Sequence, residues 1–147
     1  MPRNLTVLAI AGWLLTTQAW GQECAVSVES NDQIQFVQKE LRVSAGCAEV
    51  TVTLKHIGQL AANIMGHNWV LAASTDWQAL GAAGAAAGPP NYVPTDDRVI
   101  AATDVIGGGE EITISFDISG LEAGGDYTYF CSFPGHYLLM NGKFIIE

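Results

Sequence analysis

Cys131, His136 and Met140 fall within the single stretch CSFPGHYLLM, and a second histidine, His67, stands far upstream in MGHNWVL. Thiolate, imidazole and thioether form a soft donor set with few uses. Two imidazoles and a thiolate in a trigonal plane, with a long and weak axial thioether, describe a blue-copper electron-transfer site. Zinc would recruit a fourth strong ligand and has little use for a thioether. The chemistry therefore depends on a fold that carries His67 to the Cys131 loop.

The cysteine count bears on the same question. Met1-Pro2-Arg3 is a short positive start, followed by an apolar run from Leu5 to Leu15 and then by small residues up to Gly21. That order reads as a secretory signal peptide over residues 1–21, and the run is too short to span a bilayer. Ala19 and Gly21 place cleavage after Gly21, with a cut after Ala19 as second choice. Residues 22–147 are then one domain, delivered to the periplasm without insertion in the membrane. In that oxidising compartment Cys24 and Cys47 are expected to form a disulfide. Cys131 is left over, and a spare thiol there needs protection of the kind a bound metal gives. Losing Arg3 leaves five basic residues against fifteen acidic ones, a net charge of −10, so no basic patch survives for a nucleic-acid partner.

The elements that must position the donors follow a period of two. Val26 and Val28, then Val50, Val52 and Leu54, then Ile112, Ile114, Phe116 and Ile118, and then Tyr127, Tyr129, Cys131 and Phe133 alternate with polar or outward residues. Gln33–Val37, Glu40–Val43, Trp69–Ala73, Val99–Ala102 and Gly142–Ile146 are further strand candidates. Turn signals such as Ser30-Asn31-Asp32 and Gly107-Gly108-Gly109 separate them. The pattern predicts an all-β protein, a Greek-key antiparallel sandwich of seven or eight strands. Only residues 74–94 break it. There an alanine- and glycine-rich run, closed by Pro89-Pro90, predicts one short helix or flap starting at Asp76 and capped by Ser74 or Thr75.

On this reading Cys131 ends a strand on its inward side, and Ser132-Phe133-Pro134-Gly135 turns the chain so that His136 and Met140 lie on the return. Gly66, with no side chain, lets its carbonyl approach a metal opposite Met140. Copper enzymes would set histidines beside the cysteine to wire a second centre, but Phe130 and Ser132 stand there. A cysteine hydrolase would leave His67 and Met140 without a role. The chain is expected not to be an enzyme. A copper-carrying or copper-buffering protein is the alternative, distinguished by ready release of the metal.

These residues resemble the azurins, small periplasmic blue-copper proteins of the cupredoxin superfamily. The resemblance rests on Glu23-Cys24, Asn31-Asp32-Gln33, MGHNWVL, Asp97-Arg98-Val99-Ile100-Ala101 and FCSFPGH followed by Met140. It implies His67, Cys131 and His136 as equatorial copper ligands, Met140 as the weak axial ligand and the Gly66 carbonyl as a distant opposite one. It also implies the Cys24–Cys47 disulfide, Trp69 inside the sandwich, and Asn68 as a tie between the ligand loops, with Phe133 beside the site. Leu60, Ile64, Met65, Phe133, Pro134, Leu138 and Leu139 become an apolar docking patch around the His136 edge. Partners of the class of c-type cytochromes or periplasmic reductases and dehydrogenases would meet a monomer there. Two features depart from the family's habit. Ile57 stands after His56 where a proline is usual, and the 79–88 segment is unusually rich in alanine and glycine. In some azurins the histidine at the His56 position is partly buried and titrates with redox state; a solvated strand-end histidine is the other reading.

Overall fold

The computed structural model describes residues 22–147, so the expected leader at 1–21 lies outside the described residues. The strands are β1 (Ala25–Asn31), β2 (Gln35–Phe36), β3 (Glu40–Val43), β4 (Glu49–His56), β5 (Val70–Ala73), β6 (Ala101–Ala102), β7 (Glu111–Asp117), β8 (Tyr127–Phe130) and β9 (Asn141–Ile146). They form two sheets, ordered β2-β1-β4-β7 and β3-β9-β8-β5-β6, packed face to face. The alternation drives this packing. In β4, Val50, Val52 and Leu54 are wholly buried, while on the outer face Thr51 and Thr53 pair with Ser115 and Thr113 of β7 at 2.8 and 2.9 Å. Trp69, Tyr129, Phe116 and Phe144 meet edge or face between the sheets, with centroids about 6 Å apart. The expected disulfide is present: Cys24 and Cys47 are joined, with Cα atoms 5.8 Å apart.

Four expectations are corrected. The sandwich is not wholly antiparallel, because β1 runs parallel to β4 and β3 parallel to β9. After β2 the chain crosses to the edge of the second sheet as β3, then returns to the first beside β1. Strand candidates 33–37 and 99–102 shrink to two residues each. The tally of named strands is nine among the described residues. Cys131 lies one residue beyond the end of β8 rather than within it.

The second sheet is covered on both faces, which is why β5 and β8 lose their alternation in burial. Leu71 and Tyr129 point into the sandwich. Val70, Ala72 and Phe130 point outward and are capped by α2 (Trp77–Ala87), whose Leu80 is fully buried among them. The expected helix therefore exists, but not for the expected reason. Asp76 is its N-cap and makes no side-chain capping bond, while the Ser74 hydroxyl is engaged by Thr128 and Asp126. Two glycines, Gly81 and Gly84, at about 1 kcal/mol each would melt such a short helix alone; packing on β5 and β8 holds it. A one-turn helix, α1 (Ala62–Met65), which the pattern did not reveal, leads into Gly66 and His67.

Candidate metal centre

Two separate pieces of chain bring the donors together. His67 is held in a bridge to Ile106, donating its N–H to the Ile106 carbonyl at 3.0 Å and accepting in return at 2.8 Å. Cys131 follows β8, and its N–H reaches the Met140 carbonyl at 3.0 Å, closing the loop that carries His136. Inside the loop, His136 N–H donates to Phe133, and Met140 N–H donates to His136 at 2.9 Å. Gly135, at φ +82°, supplies the left-handed residue that this turn needs.

His67, Cys131 and His136 are all buried, and their donor atoms lie within 4.8 Å of one another. The Cys131 Sγ stands 3.9 Å from His67 Nδ1 and 3.7 Å from His136 Nδ1. A first-row ion bonded at about 2.0 Å to imidazole and about 2.3 Å to thiolate, at trigonal angles, spaces those atoms about 3.8 Å apart. The residues present therefore fit one ion. His67 Nε2 donates to the Asn31 carbonyl at 2.8 Å, so the proton sits on Nε2 and the Nδ1 lone pair faces the thiol. Burial holds both ligand histidines down to about 4, so neither carries charge near neutral pH. Burial pushes the Cys131 thiol up to about 12, against the backbone N–H groups of Asn68 and Phe133, which favour the thiolate. An incoming cation must displace that proton, so metal uptake releases a proton to solvent.

Asn68 joins the segments that carry His67 and Cys131. Its side-chain oxygen accepts from Ser132 N–H at 2.8 Å, and its amide donates to Ser132 Oγ at 2.8 Å and to the Asn91 carbonyl at 2.9 Å. Phe133 packs its ring on His136, 4.8 Å between centroids. Gly66 is buried where a Cβ would stand 2.5 Å from Val105 Cγ1 and 2.9 Å from the Phe133 ring. Met140 is fully buried at the end of the loop. Of the apolar residues expected around the His136 edge, Leu60, Ile64, Leu138 and Leu139 are exposed, as is Pro134, while Met65 and Phe133 are half-buried. His56 is not a solvated strand-end residue. It is buried, stacks on His67 at 4.5 Å between ring centroids, accepts the Gly58 N–H on Nδ1 and donates from Nε2 to the Met65 carbonyl. Sequence reasoning missed Asn31 and Asn91 as supports of the site. Each acts through its backbone carbonyl, which carries no residue-type signal.

A profile of copper binding proteins of the plastocyanin/azurin family matches residues 22–147. The chain belongs to that family. Copper is accordingly its cofactor and electron transfer its class of function. The chain is 57% identical over 122 residues to Azurin-1 of Alcaligenes xylosoxydans xylosoxydans, covering 82% of this chain and 95% of the relative. It is 41% identical over 149 residues to the azurin of Pseudomonas aeruginosa, covering the whole of both. Among solved structures it is similar to the azurin Az-iso2 of Methylomonas sp. strain J. That match has a TM-score of 0.79 and 44% identity, over 84% of this chain and 98% of the other.

Proposed function

We propose that this azurin-family chain is a periplasmic carrier that takes one electron from a redox protein and hands it to another, with no chemistry of its own. The carrying observation is the geometry of His67, Cys131 and His136, buried and spaced for one ion, with the His67 lone pair aimed inward by Asn31. Bound there, copper supplies a Cu(I)/Cu(II) couple. A ligand set tied by Asn68, Asn31 and the Cys131–Met140 backbone bond rearranges little between oxidation states. Met140 would hold the ion weakly through its thioether and the Gly66 carbonyl would face it at longer range, a reading supported by the burial of both and by the lack of room for a side chain at Gly66. Residues 1–21 direct export and are removed after Gly21, a reading supported by a family match that begins at residue 22.

The electron passes at the His136 edge. Leu138 and Leu139 on its own turn, with Leu60, Ile64, Met65, Phe133 and Pro134, offer an apolar face. Small interfaces of this kind suit brief redox encounters with a c-type cytochrome or a periplasmic reductase or dehydrogenase. The chain acts as a monomer. Mature protein given Cu(II) should develop the intense colour of thiolate-to-copper charge transfer, and a colourless or faint complex would sink the reading. Copper buffering is the second reading, favoured only if a chelator strips the reduced protein readily. Ile64→Asp or Leu139→Asp should slow reduction by a cytochrome without altering the spectrum; unaffected rates would dismiss the patch.

A further inference from the structure

One face of α2 touches the chain neighbours of two metal ligands. Phe130 precedes Cys131, Ser132 follows it, and Tyr137 follows His136. Trp77, in the first turn of α2, packs its indole against both Phe130 and Tyr137, at 6.1 and 6.3 Å between ring centroids. One turn on, Gly81 lies against Tyr137, where a Cβ would stand 2.5 Å from the ring Cγ and 2.7 Å from the Tyr137 Cβ. Three residues further, Gly84 faces the ligand loop's backbone, where a Cβ would stand 2.5 Å from the Ser132 carbonyl oxygen and 2.7 Å from that of Tyr92. Spacings of four and three put all three residues on one helix face. Non-bonded carbon contacts settle at about 3.5–4.0 Å, so at both glycines the loop occupies the space of a methyl group. Glycine weakens a helix, and both of these sit on the face where the loop demands close approach.

We propose that α2 is a strut for the ligand loop, with Trp77, Gly81 and Gly84 as positioning residues that set where Cys131 and His136 hold their donor atoms. The proposal rests on the copper reading and adds what fixes the site's geometry. Hydrogen bonds within residues 131–140 define the loop's own shape, but they do not seat it on the sandwich. Asn68 seats it from one side, through Ser132. The helix seats it from the other, through Ser132 again and through Tyr137, which is caught between Trp77 and Gly81. Packed interiors do not yield gradually, so any tilt of His136 drives the Tyr137 ring into the helix backbone. An added methyl at Gly81 or Gly84 must therefore move the loop or the helix, and the loop carries the ligands.

The test compares Gly81→Ala and Gly84→Ala with Ala83→Gly, an exposed mid-helix change that weakens α2 without touching the loop. In the copper-loaded mature protein both glycine variants should shift the charge-transfer band and the Cu(II) hyperfine splitting. They should also speed copper release to a chelator by about tenfold, the scale on which an overpacked methyl is felt. Ala83→Gly should leave all three at parent values. Parent-like spectra in the glycine variants, or equal shifts in Ala83→Gly, would overturn the proposal. Should the glycine variants not fold, Trp77→Leu removes both aromatic contacts without adding bulk; an unshifted band there refutes the strut equally. A copper-free readout separates this from the parent reading. Amide exchange at Ser132 and Tyr137 should quicken in Gly81→Ala but not in Ala83→Gly, and no such difference overturns the strut. A parent chain that stays colourless with Cu(II) defeats the copper reading instead.

Discussion

Asn68→Ala offers a measure of how much the tie between the two ligand segments holds together. The Asn68 side chain is wholly buried and makes three hydrogen bonds: it accepts from Ser132 N–H and donates to Ser132 Oγ and to the Asn91 carbonyl. Truncation leaves the Ser132 N–H without an acceptor where water does not reach, which costs about 1–3 kcal/mol. The hydroxyl can turn and Asn91 is half-buried and can find water, so those two losses cost about 0.5 kcal/mol each. The expected total is about 3 kcal/mol. With a urea slope of about 1.5 kcal/mol per molar, the midpoint of the copper-free protein falls by about 2 M at unchanged slope. Ser132→Ala, which removes only the hydroxyl, should cost about 1 kcal/mol or less. If Asn68→Ala proves no more costly than Ser132→Ala, the stranded amide is not what the tie protects, and the reasoning fails.

Met140→Leu should keep the blue colour and raise the reduction potential, because an axial donor is lost; a potential identical to the parent's would place Met140 away from the metal. Replacing Cys24 and Cys47 together by Ala frees a loop of 23-residue separation and should lower unfolding stability by about 3 kcal/mol. Urea unfolding of the reduced and oxidised parent gives an independent check, and agreement of all three proteins within about 1 kcal/mol, a third of the loop-closure scale, would contradict it. For copper-free protein, burial holds His67 and His136 at about 4 in the folded state against the ordinary 6.5. The unfolded chain thus binds protons first as pH falls. Stability from these groups is full above 6.5 and is lost between 6.5 and 4, by up to about 1.4 kcal/mol per pH unit for each histidine. Denaturation midpoints that stay level from pH 6.5 to 4.5 would refute the burial argument, and copper-loaded protein should resist the same fall.

What the sequence determined by itself is mostly local. Cys131, His136 and Met140 share one short loop, so their spacing and donor types were readable without a fold, and the period-two strands named the sandwich that would hold them. The odd cysteine count separated Cys24 and Cys47 from Cys131, because pairing two cysteines, as an oxidising compartment would favour, leaves only one thiol in need of another explanation. Tertiary structure decided whatever depends on backbone atoms meeting across long separations. The Asn31 carbonyl chooses the His67 tautomer, and stacking on His67 buries a histidine that looked free to be solvated at a strand end. The parallel pairings arise from a crossing between sheets that alternation cannot encode, since the period is the same in either direction. Most plainly, the alanine- and glycine-rich segment read as a short helix or flap outside the sandwich, and only the closeness of Gly81 and Gly84 to Tyr137 and Ser132 shows why side chains are missing there. A glycine states that space is needed; the neighbour that fills it is known only once the chain has folded.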